Sequence, residues 1–226
     1  MNIWVYKFED DDAKFYEVLH TNLPKEIIIH SSEYQDFRAK FLSLLGYFLA
    51  YQSYKLQYPN RHAKIKWNQF GKPYYLESEN DFYFNFSHSN EFLAFVFGSC
   101  NMGIDIESKD KNTISILQNT IQDYLNINEL EDVNKNNPND VLLLKYWTAK
   151  ESVMKLIGKG MWISPNKLLV NWQNNNYSNG FVIVENNAAY PFQIFENQTN
   201  NFVLSISSLK KQFFKLNLLK IKNYIS

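Results

Sequence analysis

The chain has 226 residues, 45% of them hydrophobic and 20% charged, which suits a soluble globular protein with a core large enough for one large domain or two small ones. Lys plus Arg and Asp plus Glu balance at 23 each, which argues against a broad non-specific nucleic-acid surface and leaves only local basic patches open. A single cysteine, Cys100, excludes an internal disulfide and agrees with a reducing cytoplasm.

The first residues, MNIWVYKFEDDD, carry neither the basic start nor the apolar core of a signal peptide. Residues 2–8 alternate and are aromatic, which predicts a strand. Over 34–56 the apolar residues Tyr34, Phe37, Phe41, Leu44, Leu45, Phe48 and Tyr51 recur at three- and four-residue steps, which predicts a helix. Its apolar stretch, 41–50, is too short to span a bilayer. Short strands are expected at 63–67, 82–86, 92–97 and 102–107, with HSNE at 88–91 as a turn. Helices are expected at 114–133 and 140–157, separated by the loop signal NKNNPND. Strands return at 167–172, 181–185, 191–195, 202–207 and 212–221, with NNNYSNG and NQTNN as turns between them. This order predicts an α+β fold, read as two similar halves, 1–100 and 101–226. No sequence-level repeat ties the halves together.

Three stretches carry chemistry. NMGIDIES, residues 101–108, places Asp105 and Glu107 on one face of a strand and Ile104 and Ile106 on the other. Two like charges side by side cost free energy unless that face is solvated or holds a cation, and at this point both readings stand. WTAKESVMKLIGKG, residues 147–160, lines up Trp147, Glu151 and Lys155 on one stripe of a helix that Gly158 and Gly160 would end. As a plain surface pair, Glu151 and Lys155 would contribute only ~0.3–0.5 kcal/mol. FNFSHS, residues 84–89, combines Ser hydroxyls, turn amides and an imidazole, which suits a phosphate group or simple turn capping. No Ser lies in a G-x-S-x-G elbow, which disfavours a nucleophilic triad. Taken together, the three carboxylates form an oxygen-only ligand set of the kind Mg²⁺ prefers, with a lysine one helical turn past the last, and there is no Cys/His set for zinc. Such a set is machinery for phosphoryl transfer.

Taken in order, G-K-P at 71–73, N-F-S-H-S at 85–89, G-I-D-I-E at 103–107 and W-T-A-K-E-S-V-M-K at 147–155 resemble the 4′-phosphopantetheinyl transferases of the surfactin type. The likeness spans residues 71–160 and weakens on both sides. It implies Mg²⁺-dependent transfer of the phosphopantetheine arm of coenzyme A to a serine of an apo acyl or peptidyl carrier protein, with Mn²⁺ as an alternative ion. Adenosine 3′,5′-bisphosphate would be the other product. It also implies a cytoplasmic monomer of two α+β halves with coenzyme A in the cleft between them, and neither a nucleic-acid nor a membrane partner.

Carried over by position, the resemblance makes Asp105, Glu107 and Glu151 the metal site. Glu151 is also the candidate for activating the carrier serine, and Lys155 for neutralising the pyrophosphate. Ser87 and His88 resemble coenzyme A phosphate contacts, and Gly71, Lys72 and Pro73 the adenine-side loop. Arg38 and Lys40 are candidate partners of the 3′-phosphate, on a side of the site less basic here than in the family. The segment 111–135, with Ile114, Ile116, Leu117, Ile121, Tyr124 and Leu125, would help dock the carrier or would simply be the core face of a helix. Two other classes compete: a Mg²⁺-dependent nuclease, and a non-catalytic binder of coenzyme A or carrier protein. A nuclease would cleave DNA or RNA and ignore coenzyme A; a binder would hold coenzyme A without transfer.

Overall fold

The structure is a computed structural model that describes residues 1–78, 81–135, 140–184, 188–196, 201–210 and 214–221. Most of the expected NKNNPND loop and NQTNN turn, residue 185 of the expected 181–185 strand, and residues 212–213 of the last expected strand lie outside the described residues.

The alternating start forms β1 (Asn2–Lys7). A 3₁₀ turn and two short helices follow, α1 (Tyr16–Thr21) and α2 (Lys25–Ser31), none of them expected from the sequence. The long helix α3 (Phe37–Gln57) begins where the Asp36 side chain accepts from the Ala39 amide at 2.9 Å. Every residue from 41 to 50 is buried, so this helix is embedded rather than laid on the surface by one stripe. The ribbon β2 (Ile65–Trp67) and β3 (Pro73–Tyr75) precedes β4 (Tyr83–Ser89), β5 (Phe92–Gly98) and β6 (Met102–Ser108). The expected turn at 88–91 shrinks to Asn90 and Glu91, with Asn90 at φ 50°, because His88 and Ser89 stay paired in β4.

The expected helix 114–133 is broken into α4 (Lys111–Asn119), α5 (Ile121–Tyr124) and α6 (Ile127–Lys135). Side-chain caps set the start of α4 and the break between α5 and α6. Asp110 accepts from the Asn112 and Thr113 amides, and the Asn126 side chain accepts from the Asn128 and Glu129 amides. Then α7 (Asp140–Ile157) runs as expected and ends at Gly158, which takes φ +78°. The remaining strands are β7 (Leu169–Trp172), β8 (Asn179–Ile183), β9 (Ala189–Glu196), β10 (Phe202–Ser208) and β11 (Lys215–Leu218).

Two main sheets result, ordered β11-β1-β5-β4 and β6-β10-β9-β8-β7, so the fold is α+β, with one long helix on each sheet. The last strand crosses back to pair in parallel with β1, so the sheet of the first half contains a piece of the second. One core surrounds α3 and another surrounds α7. A third lies between the halves, where Ile3, Val5, Ala94 and Val96 meet Ile104, Ile106, Leu204 and Ile206, with Cys100 buried among them. Ile104 and Ile106 therefore face the core as the alternation requires. The opposite face of β6, with Gly103, Asp105 and Glu107, receives β4 and α7. A side-chain carbon on Gly103 would run into the Ser152 carbonyl and the Leu156 amide of α7, so only glycine permits this approach.

Candidate active site

The site is built on the seam between the sheets. β4 and β6 are the edge strands of their sheets and run in the same direction, and they meet through side chains rather than a backbone ladder. Asn85, Ser87 and Ser89 are two residues apart, so all three point at β6. Asn85 accepts from the Ile104 amide at 3.0 Å, Ser87 donates to Asp105 at 2.8 Å, and Ser89 donates to Glu107 at 2.5 Å and accepts from the Ser108 amide at 3.2 Å. The alternation in NFSHS was the signal for this seam, but its partner strand is not readable from local sequence.

The helix α7 closes the seam. Lys155 donates to Asp105 at 2.6 Å and to Ser87 at 2.7 Å, and lies 3.5 Å from Glu151 one turn earlier. Trp147 donates its indole N–H to Glu107 at 3.1 Å. The stripe Trp147–Glu151–Lys155 and the pair Asp105–Glu107 thus form one cluster.

Its electrostatics follow from burial. Desolvation pushes Asp105 and Glu151 above the usual carboxylate range, against the opposing pull of Lys155. Glu107 rises to about 7, through burial and the Asp105 charge, with the Ser89 and Trp147 bonds pulling back. Burial pulls Lys155 down, but Asp105 and Glu151 outweigh it, so this ammonium is held charged.

Among the described residues, no group of three or more His, Cys, Asp and Glu side chains is gathered closely enough to hold a metal ion as it stands. The donor chemistry nevertheless fits a hard dication. All the candidate donors are carboxylate oxygens, burial raises the pKa of each, and Asp105 Oδ2 is buried without a hydrogen-bond partner.

The phosphate candidates divide. The Ser87 proton is already directed to Asp105, while its oxygen receives Lys155. His88 is half-buried with its ring 5.1 Å from Tyr34, and burial plus the neighbouring Lys155 lower its pKa to about 4, so it is neutral at pH 7. Tyr34 on the α2–α3 loop therefore belongs to the site wall, a role its place in the helix pattern concealed. Arg38 reaches Asn90 at 3.0 Å and lies over the Phe8 ring. Lys40 is half-buried in the first turn of α3, and among the described residues no hydrogen bond or ion pair joins it to the Asp105–Lys155 cluster.

Past Lys155, at the end of α7, a cavity of 380 Å³ is lined by Asn68, Lys72, Pro73, Tyr74, Phe84 and Asn101, with Leu156 and Gly158. Gly71 takes φ +90° in the turn that presents this loop. Lys72 crosses to the second half, donating to Asn101 at 2.7 Å and to the Leu156 carbonyl at 3.2 Å, and burial pulls its pKa down to about 8. Asn68 likewise reaches the Gly158 carbonyl at 2.8 Å. On the segment 111–135, Leu117, Tyr124 and Leu125 belong to the core and Ile114 and Ile121 pack against it, while Ile116 and Ile127 are exposed.

Known proteins resemble the chain in sequence over this region. Residues 101–207 match the family model of the 4′-phosphopantetheinyl transferase superfamily. The chain is 29% identical to the 4′-phosphopantetheinyl transferase gsp of Aneurinibacillus migulanus over 93% of its length and 86% of that protein. It is 33% identical to a 4′-phosphopantetheinyl transferase of Bacillus subtilis over 41% of this chain and 40% of the relative. A crystal structure of a holo-(acyl-carrier-protein) synthase from Bacillus anthracis in complex with CoA (3′,5′-ADP) superposes with a TM-score of 0.39 and 21% identity, covering 48% of this chain and 93% of that one. The matched region contains β6, α7 and the carboxylates and lysine they bring together, and over it the chain is similar to the 4′-phosphopantetheinyl transferase superfamily.

Proposed function

We propose that this protein transfers the 4′-phosphopantetheine arm of coenzyme A to a serine of an apo acyl or peptidyl carrier protein, with adenosine 3′,5′-bisphosphate as the other product. The observation that carries the reading is Lys155 of α7 meeting Ser87 of β4 and Asp105 of β6 at one point of the seam. It places one cation beside a buried carboxylate in the cleft where two halves meet.

Asp105, Glu107 and Glu151 would hold Mg²⁺, with Mn²⁺ as the alternative; the ion supplies charge neutralisation at the pyrophosphate. The chain's own groups carry the remaining work. Glu151, whose carboxyl burial pushes upward, accepts the proton of the carrier serine as its oxygen attacks the phosphorus of the pantetheine phosphate. Lys155 stays charged and offsets the negative charge that gathers on the departing bisphosphate. The Ser87 proton can turn from Asp105 to a phosphate oxygen. His88, with Arg38 and Lys40, faces the 3′-phosphate. Lys72 and Pro73, presented by the turn at Gly71, line the 380 Å³ cavity, which takes the adenine among Tyr74 and Phe84. Exposed Ile116 and Ile127 offer apolar contact to the carrier. Among the described residues no helix is long and apolar enough to cross a membrane, and we read the protein as a cytoplasmic monomer of two halves.

The test is intact-protein mass spectrometry of an apo carrier protein incubated with this protein, coenzyme A and Mg²⁺, beside an EDTA control. A gain of one phosphopantetheine mass that EDTA abolishes is the expected result. No gain with a panel of acyl and peptidyl carriers, together with coenzyme A binding, would favour a silent binder.

A further inference from the structure

Five residues before Lys155, a second lysine of α7 makes a different set of bonds. Lys150 is wholly buried, and all three ammonium protons are used: to Glu129 at 2.6 Å, to the Tyr124 carbonyl at 2.7 Å and to the Pro165 carbonyl at 3.1 Å. Glu129 in turn accepts from the Asn126 amide at 3.0 Å and the Val170 amide at 2.8 Å. One ion pair thus ties α7 to the end of α5, the start of α6, the loop after α7 and β7.

Tyr124 belongs to this knot and to the site as well. Its carbonyl receives Lys150, while its ring meets Trp147 edge-on at 5.3 Å, and Trp147 holds Glu107. The same segment carries the exposed Ile127, three residues before Leu130 on α6, and follows the exposed Ile116 of α4. A buried ion pair adds little net stability compared with an apolar pair of the same shape, so stability alone is a poor reason for this one.

We propose that Lys150 and Glu129 are positioning residues that fix the 121–135 segment against α7, and so align the carrier-facing surface with Glu107 and Glu151. The inference rests on the transfer reaction proposed above and names the device that couples its protein substrate to its carboxylates. The surface fits an apo carrier protein that offers an apolar helix face.

The test replaces the pair by apolar residues of similar volume, Lys150→Met with Glu129→Leu, in the full chain. Thermal unfolding, calorimetric Kd for coenzyme A, and kcat and KM for the carrier are measured against the unsubstituted protein. The expected result is a folded variant with coenzyme A affinity within about twofold, while kcat/KM for the carrier falls roughly tenfold to a hundredfold, as expected of displaced reacting groups. Unchanged carrier kcat/KM, or an equal loss of coenzyme A affinity, would overturn the proposal. If the variant does not fold, hydrogen exchange on the unsubstituted protein decides. The Asn126 and Val170 amides should gain protection when the carrier binds, and unchanged protection would overturn it. Absence of transfer by the unsubstituted protein would instead refute the proposed reaction.

Discussion

Lys150 and Lys155 lie on the same helix, and each is paired with a buried carboxylate at 2.6 Å. Lys150 has no exposed side-chain surface, and its knot with Glu129 is closed on both sides by backbone partners. Lys155 keeps 27% of its side-chain surface in solvent, and its partner Asp105 has a buried oxygen with no hydrogen bond. The two pairs look alike in a list of contacts and differ in what remains unmade. A completed polar network specifies position, whereas an incomplete one with a solvent opening has capacity left for a ligand.

The sharpest way to break this contrast is at the open pair and its neighbour. Glu151→Gln should leave a folded protein whose turnover, followed by mass spectrometry, drops by about 10²–10⁴; turnover equal to the unsubstituted protein would remove Glu151 from the mechanism. Lys155→Met should cost about 10²–10³ in kcat with a smaller change in unfolding midpoint. At the closed pair the balance reverses. Lys150→Met alone leaves the Glu129 charge buried and unpaired, and should cost about 3–5 kcal/mol in denaturant unfolding. Gly103→Ala pushes α7 off β6 and should cost about 1–3 kcal/mol by the same measurement.

The smallest effects sharpen the comparison through pH. Glu107 has a folded pKa of about 7, above its unfolded value, so it binds more protons when folded and its contribution to stability falls as pH rises from about 4.5 to 7. His88 has a folded pKa of about 4, below its unfolded value, so its contribution falls as pH drops from about 6.5 to 4. In metal-free protein the two oppose each other. Thermal unfolding of Glu107→Gln should be more stable at pH 7 relative to pH 5 than the parent, and His88→Gln the reverse.

Much of the site was legible locally. Two-residue spacing put Asp105 and Glu107 on one face, and four-residue spacing put Trp147, Glu151 and Lys155 on one stripe. Both patterns depend only on backbone geometry, which survives in the fold. The pairing of β4 with β6 was not legible, because it joins residues about twenty apart through side chains, leaving no turn or ladder signature. The broken 111–135 segment was misread for a different reason. Its apolar spacing is helical, but Asn126 caps a new helix, and a polar side chain outweighs periodicity over so short a run. Helices α1 and α2 are too short to show a period. The buried knot of Lys150 was hidden because nothing in a lysine's neighbours announces that it will be buried.

The return of β11 to β1 has a consequence for how the chain can be divided. Residues 2–5 pair in parallel with 215–218, so the first strand lies beside the last described one. A fragment ending near residue 100 would bare the outer side of β1, a row of open amides and carbonyls flanked by aromatic side chains, and would be prone to self-association. The complementary fragment would carry an orphan strand. A circularly permuted chain, opened at an exposed loop and joined by a linker that runs back along this parallel pair, would keep every strand neighbour. The two halves are therefore inseparable as pieces yet rearrangeable as a ring.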